Sequence, residues 1–143
     1  MTYQPPDLSL LGDEHVRRYR ETGGEVGYLC NGVPTLLLTT MGRRTGMERT
    51  TPLIFGRDGD DHLVVASMGG APRHPAWYLN LSADAAATIQ VKAERIPVAA
   101  RTASAEEKPR LWRIMCGIWP NYDAYQARTE RDIPVVVLSP SRG

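Results

Sequence analysis

Cysteine is scarce in this chain. Only Cys30 and Cys116 occur, far apart and outside any CxxC pattern. That argues against a disulfide scaffold or a zinc site and fits two buried thiols in a reducing, cytoplasmic setting. His15, His62 and His74 are equally dispersed, with no HExxH or paired spacing, so no metal is implied. No apolar run approaches the roughly 18 residues of a membrane span, and residues 1–11 are too polar and proline-containing for a signal peptide. We therefore expect no integral membrane contact. A formal net charge of +1 provides no global field to attract nucleic acid. There is no GxGxxG after a first strand, no GxxxxGK[ST] and no GxSxG elbow, so dinucleotide-fold, P-loop and nucleophile-elbow readings fail. Paired carboxylates are scarce in the candidate loops. A hydrolase has no footing here.

What is present is ordinary in bulk and uneven in detail. With 143 residues, 42% apolar and 23% charged, the chain is long enough to bury a core as one domain. Its charge is locally biased: Arg43, Arg44, Arg49 and Arg57 stand against Glu48 alone between residues 41 and 57. Runs 35–41 and 49–57 read as an antiparallel hairpin whose tip carries Gly42, Arg43, Arg44, Thr45 and Gly46. Glycine permits the turn, and arginine presents a fixed fork of donors to phosphate or carboxylate oxygens. Taken alone, the tip reads more readily as a solvated hairpin end.

Asp58-Gly59-Asp60-Asp61 signals a turn into a third strand at 62–68, so the strands read as a meander. A helix at 13–22, capped by Asp13 and closed by Gly23-Gly24, is thin in apolar residues and is expected to lie against the surface. Pro75 suits a helix start, leading into 76–81. Residues 88–92 and 96–101 read as a strand pair. Ser104-Ala105-Glu106-Glu107 is a capping box, opening a helix with Leu111, Ile114, Met115 and Ile118 on one stripe. Pro120 ends that helix, Asn121 is placed to cap a further turn carrying Tyr122 and Tyr125, and 133–138 is a final β-branched strand. The helices do not alternate with the strands, which disfavours a doubly wound sheet. The expected class is mainly β (α+β): a small, partly closed antiparallel barrel of about six strands with flanking helices.

Four positions offer binding chemistry: the basic tip; the strand end Ala66-Ser67-Met68 running into Gly69-Gly70; the helix start at Pro75-Ala76-Trp77; and the aromatic cluster Trp119, Tyr122 and Tyr125. Anion donors beside a flat aromatic wall suit a phosphorylated planar cofactor. Each also has a structural reading. Trp77 and Tyr78 often serve as core, Tyr122 and Tyr125 can pack a last helix on the sheet, and His74 reads as an exposed loop histidine.

Two long stretches in order narrow the choice. Leu36-Leu37-Leu38-Thr39-Thr40-x-Gly42-Arg43-Arg44-Thr45-Gly46-x-x-Arg49-Thr50-Thr51-Pro52-Leu53 is followed by Val65-Ala66-Ser67-x-Gly69-Gly70-Ala71-Pro72-x-His74-Pro75-Ala76-Trp77-Tyr78-x-Asn80-Leu81. Together with Ile118-Trp119-Pro120-Asn121-Tyr122-x-x-Tyr125 and the Ile133-Pro134-Val135 ending, the chain resembles the deazaflavin-dependent nitroreductase family. That resemblance implies an FMN-binding-like split β-barrel at 34–143 behind an N-terminal helical extension at 1–33, with coenzyme F420 as cofactor. It implies that Arg43, Arg44, Thr45 and Arg49 hold the coenzyme's phosphate and acidic tail. Thr50, Thr51, Pro52, Leu53 and Ile54 would line the deazaflavin, with Val65, Ala66, Ser67 and Met68 at the phosphate and linker. Ala76, Trp77, Tyr78, Leu79 and Asn80 would cover it. Tyr122 would border the catalytic face, with Trp119 and Tyr125 completing the pocket for a small, planar, hydrophobic substrate. Two positions depart from the pattern: Met68 stands where a lysine is common, and Trp119 where a tyrosine is frequent.

The resemblance further implies hydride transfer to activated alkenes such as coumarin- or aflatoxin-type lactones, to nitroaromatics or to quinones, by a monomer or homodimer. An FMN-dependent oxidoreductase on the same barrel and a non-catalytic deazaflavin carrier are the competing readings. The arginine-rich tip favours a polyanionic tail over compact FMN, and the aromatic pocket with Tyr122 favours an enzyme over a carrier.

Overall fold

In the computed structural model, which describes residues 12–141, a bent strand curls the sheet. Helix α1 (Gly12–Thr22) precedes β1 (Leu29–Cys30), β2 (Val33–Met41), β3 (Glu48–Ile54), β4 (Gly56–Asp58) and β5 (Asp61–Val65). After these come α2 (Ala76–Ala83), β6 (Ala86–Val91), β7 (Glu94–Thr102), α3 (Lys108–Ile118), α4 (Asn121–Ala127) and β8 (Val135–Pro140). Residues 1–11 of the expected N-terminal extension lie outside the described residues.

The sheet runs β1-β2-β6-β7-β8-β5-β4, with β3 on the other edge of β2. Every pairing is antiparallel. Residues 49–57, expected as one strand, are two: β3 pairs with β2 and β4 pairs with β5, separated by Phe55. That residue is buried, and its N–H donates to the Pro34 carbonyl at 3.1 Å. The bend carries the chain from one edge of the sheet to the other. This makes an antiparallel split barrel, as expected. Gly56 follows because α3 presses close: a Cβ there would stand 2.7 Å from Met115 Sδ and 2.9 Å from Ile118 Cδ1.

Side-chain alternation assigns the two faces. Leu36, Leu38, Val64, Ile89, Val98, Val136 and Leu138 fill the barrel interior with Phe55 and Trp77. Leu63, Val65, Val135 and Val137 face the other way, against Leu111 and Met115 of α3 and Tyr122 and Tyr125 of α4. Strands β5 and β8 are buried on both faces, which is why they read as continuous apolar runs. The expected capping box forms. Glu107 N–H donates to Ser104 Oγ at 3.2 Å and Ser104 N–H donates to Glu107 Oε1 at 2.9 Å. Arg101 pairs with the same carboxylate, and that hydrogen bond holds the Glu107 carboxyl down at about 2.

Several expectations are corrected. Strand β5 ends at Val65 rather than at 68, because Met68, Gly69 and Gly70 all adopt left-handed backbone (φ +46°, +64° and +84°) that no strand accommodates. Strand β8 begins at Val135 rather than at 133, since Pro134 has no N–H for a ladder. Asn121 is the buried first residue of α4 rather than its cap.

Helix α1 lies on the surface as expected, but it is anchored through its buried His15, Val16 and Tyr19. Its Tyr19 is fully buried, and the hydroxyl is positioned to donate to the carbonyls of Thr35 (3.0 Å) and Gln90 (3.2 Å) while accepting from the Lys92 N–H (2.8 Å). One phenol thus ties α1 to β2, to β6 and to the turn that follows β6. Tyr19→Phe keeps the ring and strands these polar groups, so we expect a loss of about 1–3 kcal/mol in urea unfolding. No loss would show that α1 is held by its apolar contacts alone.

His62 is buried beneath the Phe55 ring (5.4 Å between centroids), and its Nδ1 has no hydrogen-bond partner. Burial first, then nearby Arg57, pushes its pKa below the ordinary 6.5, against opposing contributions from Glu94 and Asp61. The unfolded chain therefore takes up a proton at a higher pH than the folded one. This contribution to stability is complete above about pH 6.5 and is lost as pH falls toward the folded value. Tm measured from pH 7.5 to pH 5 should fall less steeply in His62→Phe than in the unaltered chain.

Candidate active site

The β2–β3 hairpin builds its tip from short backbone bonds. Gly42 N–H donates to Met47 O and Gly46 N–H to Gly42 O, each at 2.8 Å. Gly46 sits at φ +70°, and a Cβ on Gly42 would be 2.9 Å from Thr45 Oγ1. Asn80 of α2 brackets this tip from inside. Its Oδ1 accepts from the Arg43 N–H (3.2 Å) and guanidinium (3.0 Å), while its Nδ2 donates to Thr40 Oγ1 (3.1 Å). The first arginine of the tip is thereby oriented before any ligand arrives.

Above the tip lies a groove of about 1030 Å³. Five arginines line it: Arg43, Arg44 and Arg49 from the hairpin, and Arg17 and Arg20 from α1. Against them stand Asp13, Glu21 and Glu48, so the lining is net cationic. Arg17 is paired with Glu14 and Glu21, whereas Arg20 donates to Thr50 Oγ1 at 2.9 Å. Thr45, Thr50, Ala76 and Asn80 share the groove.

A second cavity of about 440 Å³ adjoins it, and Thr51 and Trp77 line both. Its walls are Pro52, Leu53 and Ile54 of β3, Val65 of β5, the segment Ser67-Met68-Gly69, and Trp119, Tyr122 and Tyr125. Tyr122 is almost wholly buried, 6.1 Å from Tyr125 in an edge-to-face arrangement and 6.2 Å from Trp112. Trp119 Nε1 donates to the Tyr125 hydroxyl at 3.4 Å. Burial, reinforced by Tyr125 and Cys116, raises the Tyr122 pKa well above the ordinary phenol value. Its hydroxyl remains protonated throughout the neutral range.

Three positions singled out in the sequence fall outside both cavities. Ala66 is buried in the barrel interior. Tyr78 points elsewhere on α2, sharing a 2.8 Å hydrogen bond with Thr102 Oγ1, and Leu79 lines neither cavity. His74 is not a solvated loop residue. It is half-buried, 4.8 Å from the Tyr78 ring, with Nδ1 placed 3.1 Å from Arg131 Nη1. Arg17 and Arg20 were missed because α1 looked peripheral. Their i, i+3 spacing, which puts both on one helix face, was the available signal.

Among the described residues, no group of three or more His, Cys, Asp or Glu side chains is placed to hold a metal ion, and no helix is long and apolar enough to cross a membrane.

The chain is also similar to known proteins. Residues 12–140 match the family described as F420H(2)-dependent quinone reductase. An F420H(2)-dependent quinone reductase of Mycobacterium tuberculosis is 45% identical over 129 residues, covering 87% of each chain. A solved F420-H2 dependent reductase (FDR-A) superposes with a TM-score of 0.69 at 34% identity, over 74% of this chain and 94% of that one. A second solved structure, a domain-swapped dimer, gives a TM-score of 0.70 at 34% identity over 74% and 80%. The chain belongs to the F420H(2)-dependent quinone reductase family, whose name states both an oxidoreductase and its donor, reduced coenzyme F420.

Proposed function

We propose that this protein transfers a hydride from reduced coenzyme F420 to a small, planar, electron-poor acceptor, with quinones as the first class to test. The observation that carries this reading is the continuity of a five-arginine groove with an aromatic cavity through Thr51 and Trp77. A coenzyme with a flat ring, a phosphodiester and a carboxylate-bearing tail matches that pairing: forked cations for the anions, apolar walls for the ring. The residues present fit the group.

Arg43, Arg44, Thr45 and Arg49, joined by Arg17 and Arg20, would bind the phosphate and tail. Thr51 to Ile54, Val65 and Ser67 would hold the ring. When bound, the reduced deazaflavin supplies the hydride; the protein supplies placement and proton control. The apolar walls around Tyr122 exclude water from the reacting face. The Tyr122 hydroxyl would keep its proton and donate a hydrogen bond to the acceptor oxygen as charge develops there, the proton that completes the reduction coming from solvent. Trp119 and Tyr125 select for flatness over detailed shape, so activated lactones and nitroaromatics are secondary acceptors of the same pocket. We read the chain as one cytoplasmic reductase domain. Both cavities are built within a single chain, so a monomer suffices for the chemistry, and light scattering distinguishes it from a homodimer.

The test is a fluorescence titration with oxidised coenzyme F420, with FMN in parallel. Oxidation of the reduced coenzyme is then followed with a soluble naphthoquinone, a coumarin or a nitroaromatic as acceptor. Selective binding of the deazaflavin, with oxidation requiring both protein and acceptor, supports the reading. Binding of FMN instead would transfer the chain to flavin chemistry. Binding without turnover of any acceptor would make it a carrier.

A further inference from the structure

Arg131 lies in the loop between α4 and β8 and directs its guanidinium at backbone. Nε donates to the Ala71 carbonyl at 2.8 Å, Nη1 to Ala66 at 3.2 Å and Nη2 to Ser67 at 2.8 Å. Nη1 also meets His74 Nδ1 at 3.1 Å. These three carbonyls bracket the segment that leaves β5 and lines the aromatic cavity through Ser67, Met68 and Gly69.

That segment is a tight turn with a strained residue. Met68 carries a side chain in left-handed backbone (φ +46°), a conformation that costs about 1–2 kcal/mol for a non-glycine residue. Within the segment, the Gly70 N–H donates to Ser67 O at 2.9 Å and the Ala71 N–H to Met68 O at 3.1 Å. The far side is set against α4: a Cβ on Gly70 would stand 2.6 Å from the Tyr125 carbonyl. The cavity wall is thus strained, pressed against the helix that carries Tyr122, and braced from behind by one guanidinium.

We propose that Arg131 is a positioning residue for the aromatic cavity, clasping three carbonyls so that Ser67, Met68 and Gly69 hold the shape that the coenzyme ring and the acceptor meet. It acts without touching coenzyme or acceptor. Only a planar fork reaches all three carbonyls at once; the ammonium of lysine is a compact point charge on a flexible stem. The proposal rests on the acceptor reading of this cavity given above.

The experiment compares Arg131→Lys and Arg131→Gln with the unaltered protein. It measures hydrogen exchange across 66–71, coenzyme Kd by fluorescence, and acceptor kcat and KM. We expect exchange in that segment to accelerate about tenfold while β5 and β8 keep their protection. Acceptor KM should rise about tenfold and coenzyme Kd only several-fold, because the displaced wall carries Ser67 and meets ring and acceptor alike, while the arginine groove that holds the coenzyme's anions is untouched. Lysine should fail to restore KM. Unchanged exchange and KM in folded variants would overturn the proposal. So would exchange raised throughout the barrel, full rescue by lysine, or failure of both variants to fold, each of which would reduce Arg131 to a general stability or charge role. If the unaltered protein neither binds the coenzyme nor turns over a quinone, the functional reading fails by itself, and the exchange data still decide whether the clasp exists.

Discussion

Replacing Tyr122 with phenylalanine is expected to lower kcat about 100-fold while leaving the coenzyme's Kd nearly unchanged. The ring stays, so the packing against Tyr125 and Trp112 stays with it. What disappears is one buried hydroxyl, kept protonated by burial, at the wall of the aromatic cavity. A preorganised donor in such a site is worth roughly 100- to 1000-fold when removed. Stopped-flow oxidation of the bound, reduced coenzyme by a naphthoquinone measures the step directly. Equal losses in kcat and coenzyme affinity, or no loss, would remove Tyr122 from the mechanism. Because burial moves the phenol pKa upward, the alkaline form is the disfavoured one. Activity should therefore show no decline through pH 9 that the Phe variant abolishes.

The opposite split is expected from the groove. Arg44→Ala combined with Arg49→Ala should raise the coenzyme's Kd about 100-fold and leave kcat at saturating coenzyme close to normal. Each guanidinium makes charge-assisted hydrogen bonds worth up to about 1.5–3 kcal/mol. Exposure and salt screening in an open groove bring the pair down to about 3 kcal/mol. Arg43 is a poorer choice for this test, since it also fastens the tip to Asn80, and its loss would move the hairpin. The titration should be run at several salt concentrations, where the double variant should show a shallower dependence. A Kd within a few-fold of the original would return the hairpin tip to the role of a solvated turn.

Much of this arrangement is visible in the linear chain because its determinants are local. The glycines of the tip, the β-branched run of β8 and the reciprocal Ser104 and Glu107 pair act over a few residues, so elements and motifs could be assigned from spacing alone. The aromatic pair Tyr122 and Tyr125 could be placed on one helical face for the same reason. Strand ends were less legible where backbone conformation, not hydrophobicity, terminates the element, as at Met68 to Gly70.

Composition, patterning and two long motifs determined the class of fold, the basic tip and the aromatic wall. Tertiary structure alone decided which distant residues share a site. Tyr19 became a buried anchor only because β2, β6 and the turn after β6 converge on its hydroxyl. That docking brings Arg17 and Arg20 to the groove across from Arg43, Arg44 and Arg49. Tyr78 and Leu79, adjacent in sequence to groove residues, were turned away by the helical rotation of α2. Arg131 reaches carbonyls some sixty residues earlier in the chain, a contact with no local signature. Propensity and capping act along the chain, whereas hydrogen bonds and ion pairs across the barrel depend on which segments the closed sheet brings within about 3 Å of one another.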